Sequence, residues 1–115
     1  MGSTEERKRL AREYKQAPAE GAVIAYVCSP SGKRLVIGCP DLKAQQNRFA
    51  FSVATDSCIL AKLADDWKQH GARSFSLVVL EEVKQGETQE RREFLSDLET
   101  LAGLWREKYT KEELY

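Results

Sequence analysis

The chain lacks most of the residues and motifs on which common enzymes depend. It contains one histidine, His70, so neither a Ser-His-Asp triad nor a histidine-rich metal site is expected. The sequence has no GxGxxG motif, no P-loop and no HExxH motif. These absences point away from dinucleotide-dependent enzymes, P-loop nucleoside triphosphatases and zinc proteases. His70 itself lies at a predicted helix end, where a cationic side chain suits the helix dipole.

Cysteine is scarce and unpaired in sequence. The three cysteines, Cys28, Cys39 and Cys58, form no CxxC motif, and an odd number does not suit a disulfide framework. We therefore expect buried free thiols in a reducing compartment. Long apolar runs are missing too, since none approaches the roughly 20 residues that cross a bilayer. The N-terminus is charged and unlike a secretory signal, so a cytoplasmic location is expected.

The chain also has no net charge. The chain has 115 residues, enough for one domain, with 18 basic and 18 acidic side chains. A formal charge of zero argues against tight nonspecific binding to a polyanion. The charges are uneven, however, because residues 81–115 carry ten acidic and six basic side chains, whereas residues 1–17 carry five basic and three acidic ones. A chain with this charge distribution that engages nucleic acid should therefore do so through its N-terminal half.

The N-terminal part of the chain predicts a surface helix followed by a β-hairpin. Residues 4–16 have a thin apolar stripe of Leu10 and Tyr14, which is typical of an appended helix. The apolar runs GAVIAYVC and RLVIGC then flank the turn sequence SPSGK. Runs that are apolar on both faces are typical of strands covered by helices on each side.

The remainder of the chain predicts helices around one further strand. Asp41 is the expected N-cap of a helix, and a second helix is expected over 56–69. A strand follows over 73–83 and a long helix over 88–108. We predict an α+β fold in which a three-stranded sheet is packed by helices. Its expected divisions are an N-terminal basic helix (1–18), the main domain (19–109) and a fraying C-terminal tail (110–115).

Two charged residues border the predicted inward faces of helices. Arg48 precedes Phe49 on the first helix after the hairpin, so it is either a solvated surface arginine or an arginine that reaches toward the strands. Glu99 borders the buried stripe of the last helix. A carboxylate there is either an ion-pair partner for a nearby basic side chain or a ligand for a hard divalent cation.

The order of these features resembles the GIY-YIG endonuclease family, and in particular its small stand-alone bacterial members. That family has two strand motifs joined by a short loop, then a helix with an arginine and a later helix with a glutamate. The resemblance covers nearly the whole chain and depends on the order and spacing of several short motifs. The matching segments are Glu13-Tyr14-Lys15, Asp41-Leu42, Asn47-Arg48-Phe49, Asp66-Trp67 with His70-Gly71, and Phe75 with Val79-Leu80-Glu81.

The resemblance implies a small, mainly antiparallel three-stranded sheet flanked by helices, with phosphodiester hydrolysis in DNA as the reaction. Arg48 would brace the phosphate, and Glu99 would bind Mg2+ or Mn2+. The strand motifs depart from the family, because Val36-Ile37-Gly38 and Ala22-Val23-Ile24 place Val36 and Ile24 where the family has tyrosines. Tyr26, two residues along the strand from Ile24, is the candidate replacement in catalysis.

Three functions follow as expectations. The first is a divergent DNA endonuclease, and the second is a catalytically degenerate domain that binds DNA or a protein partner. The third is a scaffold whose N-terminal helix and acidic last helix offer surfaces for self-association or a partner protein. In the first two cases the DNA contacts are expected at Lys33, Arg34 and Lys43. They would form one basic surface with the N-terminal helix if that helix packs near the hairpin, or a solvated face if it does not. The basic residues of that helix are Arg7, Lys8, Arg9 and Arg12.

Overall fold

The computed structural model describes residues 20–58 and 60–115. Three strands, β1 (Glu20–Cys28), β2 (Arg34–Cys39) and β3 (Phe75–Lys84), form one antiparallel sheet in the order β2-β1-β3. Three helices pack around it: α1 (Leu42–Thr55), α2 (Ala64–His70) and α3 (Arg91–Arg106). The predicted α+β architecture is confirmed. The predicted helix over 4–16 and its basic residues lie outside the described part of the chain.

β1 is the central strand and is buried on both faces. Tyr26 and its neighbours on one face pack against α1 and α2, and we call this the α1 face. Val23 and Ala25 point to the other face, the α3 face, where they contact Ala102 of α3. The apolar run in the sequence therefore arises because helices cover both sides of this strand.

α1 begins and ends at aspartates. The side chain of Asp41 accepts a hydrogen bond from the amide of Ala44 at 3.0 Å, which confirms it as the N-cap. Asp56 ends the helix in the left-handed conformation, with φ of 52°. Its carboxylate accepts a hydrogen bond from the Trp67 indole at 3.1 Å, which ties the end of α1 to α2.

The second predicted helix is shorter than expected. The sequence predicts it over 56–69, but a short 3-10 turn (Ala61–Leu63) leads into α2 only at Ala64. The left-handed Asp56 turns the chain away from helical geometry, and Leu60 is extended. The predicted inward positions Leu63 and Trp67 are nevertheless buried.

Gly38 is required because α3 crosses β2 without space for a side chain. A Cβ built at this position would lie 2.9 Å from both the Cβ and the carbonyl oxygen of Leu98. Real Cβ atoms do not approach other atoms so closely, so the helix could pack here only against glycine. Phe94 and Leu98, both buried, are the side chains through which the first half of α3 packs against the sheet.

The C-terminal residues form an ordered strap across the edge of β2, unlike the fraying tail that the sequence predicts. After α3, Tyr109 and Leu114 pack on the α3 face, while Tyr115 packs on the α1 face. Between them a 3-10 turn, Lys111–Glu113, is closed by a capping box with Thr110. The Tyr115 amide donates to the Arg34 carbonyl at 3.1 Å, and Leu114 forms a parallel bridge with Arg34. We refer to residues 109–115 as the strap.

All three cysteines are free thiols. Cys28 and Cys39 are buried, as expected, whereas Cys58 is only half-buried. Burial raises the pKa of the Cys39 thiol. Within 20–58 and 60–115, the helices are too short or too polar to cross a bilayer.

Candidate functional site

The register of the hairpin decides which strand residues face each other. Ala25 of β1 lies opposite Val36 of β2, whereas Ile24 lies opposite Ile37. Because successive side chains point to opposite faces, Ile24 and Val36 lie on different sides of the sheet. A site that needs both motif side chains on one face would therefore combine Val36 with Ala25 rather than with Ile24.

These two motif positions are part of a closed apolar cluster. Ala25 and Val36 contact Ala102 of α3, and the exposed fraction of each residue is 1% or less. None of the three side chains carries a group that can exchange a proton or bind a metal. The centre of the α3 face, where the resemblance predicts chemistry, is therefore filled by packing.

Tyr26 lies on the opposite side of the sheet from Val36. Its ring is fully buried and packs against Phe49 of α1, with ring centroids 5.4 Å apart. Gln45 donates a hydrogen bond from Nε2 to the Tyr26 hydroxyl oxygen. Burial raises the pKa of this phenol, although the bond from Gln45 opposes the shift. Tyr26 is thus a hydrogen-bonded core residue that has no access to a substrate.

Arg48 lies on the exposed side of α1. It borders a shallow cavity of about 430 Å³ together with Asn47, Phe51 and Ser52. Phe51 is 70% exposed, which is unusual for a phenylalanine. Arg48 is exposed, but its positive charge opposes the rise in the pKa of Tyr26, and it does not line the cavity that contains Glu99.

Glu99 forms an ion pair with Arg106, two turns further along α3. The Glu99 Oε1 atom lies 3.3 Å from Nη1 of Arg106, and the Glu99 side chain is 72% exposed. The Arg106 guanidinium also donates from Nε and Nη2 to the Val36 carbonyl oxygen, at 3.0 and 2.8 Å. Arg106 thus caps the free edge of β2 and holds Glu99 beside it.

A cavity of about 670 Å³ opens where β2 meets the strap, the segment before α2 and the last turns of α3. Its lining residues include three basic side chains, Arg34, Lys62 and Arg106, and one acidic side chain, Glu99. Its apolar lining includes Ile37, Leu60 and Leu114, and Tyr115 is its one aromatic lining residue within the described part of the chain. We call it the β2-edge cavity.

The residues around Glu99 do not fit a divalent metal. Mg2+ can be bound by one carboxylate together with waters and substrate phosphates, so the fit depends on whether the Glu99 carboxylate is free of competing cations. The nearest charged partner of Glu99 is a guanidinium, which would repel a cation. The Val36 carbonyl, a further oxygen nearby, already accepts two hydrogen bonds from the same guanidinium. The Glu99 carboxylate is therefore already paired with a cation and does not fit Mg2+ or Mn2+.

The basic residues expected to contact DNA lie in two places. Lys33 and Arg34 lie at the start of β2, where they contact the aromatic rings of the strap. The Arg34 guanidinium carbon is 4.5 Å from the Tyr109 ring centroid, and Lys33 Nζ is 6.0 Å from that of Tyr115. Lys43 lies apart from them, exposed in the first turn of α1.

Two residues of the β2-edge cavity were not expected from the sequence. Arg106 lies seven residues after Glu99, and this spacing places both side chains on one face of a helix. It could have identified the ion pair in advance. No sequence spacing of this kind marks Lys62, because it reaches the cavity only through the path of the chain between α1 and α2.

Comparisons with known proteins agree with this architecture. No protein-family model matches the sequence, and no curated protein matches it. Among solved structures, a mutant of the catalytic domain of intron endonuclease I-TevI is similar, with a TM-score of 0.57 and 16% sequence identity. The match covers 84% of this chain and 91% of that domain. The chain therefore has the fold of a GIY-YIG endonuclease catalytic domain.

Proposed function

We propose that this chain is a nuclease-fold domain that binds the phosphate backbone of DNA and does not cleave it. The observation that carries the proposal is the cluster of Ala25, Val36 and Ala102. Hydrolysis of a phosphodiester needs groups that activate water and stabilise developing charge. A dry cluster of alkyl side chains on the α3 face supplies neither of these functions.

The rest of the predicted catalytic set supports the same conclusion. Tyr26, Arg48 and Glu99 lie in three different environments: the core, the outer side of α1 and the β2-edge cavity. A general base must come within hydrogen-bonding distance of its proton, and transition-state donors must surround one phosphate. Arg48 lies near enough to Tyr26 to affect its pKa, but Glu99 lies in the β2-edge cavity, which neither of them lines, so the three groups do not surround a single phosphodiester.

Binding to DNA is supported by the fold and by the local charge. The similar solved domain is the catalytic domain of an endonuclease. In this chain, Lys33 and Lys62 are exposed cations on the side of the β2-edge cavity, while Lys43 and Arg48 are exposed on α1. Exposed cations bind backbone phosphates without sequence preference, which suits a nuclease fold that has lost its chemistry.

Two measurements test this proposal. In plasmid nicking with Mg2+ or Mn2+, we expect no cleavage by the wild-type protein, by Glu99→Ala or by Arg48→Ala. In fluorescence anisotropy with a labelled DNA duplex at low salt, we expect binding by all three proteins. Nicking by the wild type that both substitutions abolish would overturn the proposal and favour a metal-dependent endonuclease.

Paired substitutions then locate the DNA surface. Lys33→Gln with Lys62→Gln removes charge beside the β2-edge cavity, and Lys43→Gln with Arg48→Gln removes the same charge from α1. We expect the first pair to weaken binding more than the second. Lys68→Gln, an exposed lysine on α2, is the matched control. Absence of duplex binding by the wild type at low salt would refute the proposed function.

A further inference from the structure

We propose that the β2-edge cavity binds a phosphate monoester on a nucleoside-sized body, without a metal ion, and that Glu99 occupies the anion's place when the site is empty. This inference rests on the proposed function, because it identifies a ligand group at the same surface. It also reverses the role that the resemblance assigns to Glu99, from metal ligand to competing anion.

The size and charge of the cavity favour this ligand class. A volume of about 670 Å³ lies within the range of small-molecule sites, which runs from about 300 to 1,000 Å³. Among the described residues, three basic side chains and one acidic side chain line the cavity, so these side chains carry a net positive charge. A phosphate monoester carries about −1.5 to −2 at neutral pH and matches this excess, whereas an internal phosphodiester carries one negative charge. The apolar residues and Tyr115 provide walls for a sugar or base.

Arg106 has free donors at a fixed position. A guanidinium has five N–H donors, and Arg106 uses three of them, two on the Val36 carbonyl and one on Glu99. Two donors therefore remain. The bonds to Val36 orient the group, so little side-chain entropy is lost when an anion binds.

Arg34 supplies a second unsatisfied donor. Its Nε atom is buried and has no hydrogen-bond partner among the described residues. Buried donors almost always have a partner, and this unpaired N–H belongs to a residue that lines the cavity. The Arg34 guanidinium is held over the Tyr109 ring, which fixes its position.

Glu99 is the group that an anion would displace. Its carboxylate is largely exposed and is held by a single 3.3 Å contact with Arg106. Exposed ion pairs of this kind are weak, so a phosphate with several donors around it replaces the carboxylate at small cost. Neutralising Glu99 should therefore improve phosphate binding, the opposite of what a metal ligand would show.

The test is a titration followed by amide chemical shifts and calorimetry, with EDTA present throughout. The probes are inorganic phosphate, adenosine 5′-monophosphate, and a short single-stranded oligonucleotide with or without a 5′-phosphate. We expect saturable binding of the monophosphate, with shifts at Val36, Leu60, Ala61 and Leu114. Glu99→Gln should tighten it by about two- to fivefold, as removal of one exposed charge contact allows. Lys62→Gln should weaken it by a similar factor.

Two control variants and a comparison of the probes distinguish the possible outcomes. Glu93→Gln removes a carboxylate from the first turn of α3, and Lys68→Gln removes a lysine from α2; neither should change the affinity. Tighter binding of the 5′-phosphorylated oligonucleotide than of the monophosphate identifies a strand end as the source, and equal binding identifies a free nucleotide. Both outcomes support the site.

Two results would overturn the inference: unchanged or weaker phosphate binding by Glu99→Gln, or no saturable binding by the wild type. If duplex DNA still binds in either case, the proposed function stands without this site. If the monophosphate binds but duplex DNA does not, the site stands and the proposed function fails.

Discussion

At the scale of single residues, small side chains determine what this site can do. Ala25 and Ala102 occupy the centre of the α3 face, and Val36 completes the cluster. Gly38 allows α3 to approach β2 closely, so the helix that covers the cluster lies directly against the strand. The features that make the α3 face well packed are therefore the same ones that exclude proton transfer there.

The glycines of this region should respond to alanine with opposite signs. Gly38→Ala places a Cβ 2.9 Å from Leu98 backbone and side-chain atoms, so we expect a loss of about 1–3 kcal/mol in the free energy of unfolding. Gly103→Ala meets no atom within 4 Å inside α3. It should raise the free energy of unfolding by up to about 1 kcal/mol, since alanine favours helix. Urea denaturation of both variants measures the difference, and equal effects would contradict the close contact at Gly38.

At the scale of elements, the strap is the feature that the sequence predicted least well. It crosses from the α3 face to the α1 face and covers part of the free edge of β2. Its end is held by the Tyr115 hydroxyl, which donates to Asp66 at 2.7 Å. Burial and the bond to Asp66 raise the pKa of Tyr115. The strap also forms one wall of the β2-edge cavity, through Leu114 and Tyr115.

The strap should detach in acid. The bond from Tyr115 lowers the pKa of Asp66, and the Thr110 backbone and side-chain bonds lower the pKa of Glu113. A carboxyl whose folded pKa is lowered stabilises the fold above its ordinary pKa, about 4. That contribution disappears as pH falls through the lower folded value. We therefore expect the Tyr115 amide to lose exchange protection below about pH 4, after correction for intrinsic exchange rates.

Substitutions in α2 test the origin of this transition. Asp66→Asn keeps an acceptor for the tyrosine hydroxyl but cannot titrate, so it should flatten the Asp66 part of the acid transition. Asp65→Asn changes the neighbouring exposed aspartate and should leave the transition as in the wild type. If the two variants behave alike, the bond between Tyr115 and Asp66 does not hold the strap.

At the scale of the whole molecule, the balance of charge limits how tightly DNA can be held. With 18 basic and 18 acidic side chains, the chain has no general attraction for a polyanion. The DNA binding that we propose must then come from small groups of exposed cations, beside the β2-edge cavity and on α1. The predicted catalytic residues of this chain lie in the core, on the outer side of α1 and in the β2-edge cavity.

DNA affinity should therefore depend moderately on salt. Two or three phosphate contacts predict a slope of about −2 to −3 for log K against log salt concentration. Lys33→Gln and Lys62→Gln should each reduce the magnitude of this slope by about one, because each substitution removes one phosphate contact. Fluorescence anisotropy titrations at salt concentrations between about 50 and 200 mM measure this slope. A steep slope that neither substitution changes would place the DNA on another surface.

The sequence by itself determined the elements and their order. Apolar runs identified β1 and β2, the capping aspartate identified the start of α1, and periodicity identified Phe94 and Leu98 as buried positions of α3. These signals are local, because strand burial, capping and helical periodicity each arise from a few neighbouring residues. The resemblance to the nuclease family then predicted the fold.

Only the tertiary structure decided which residues meet. Strand register placed Ala25 opposite Val36, since a shift of one residue reverses the face of every side chain. The packing of α3 brought Arg106 to the Val36 carbonyl, and the strap closed the β2 edge beside them. Such contacts join residues far apart in sequence and depend on how whole elements pack. No local sequence pattern indicates how whole elements pack, so the β2-edge cavity could not be predicted from the sequence alone.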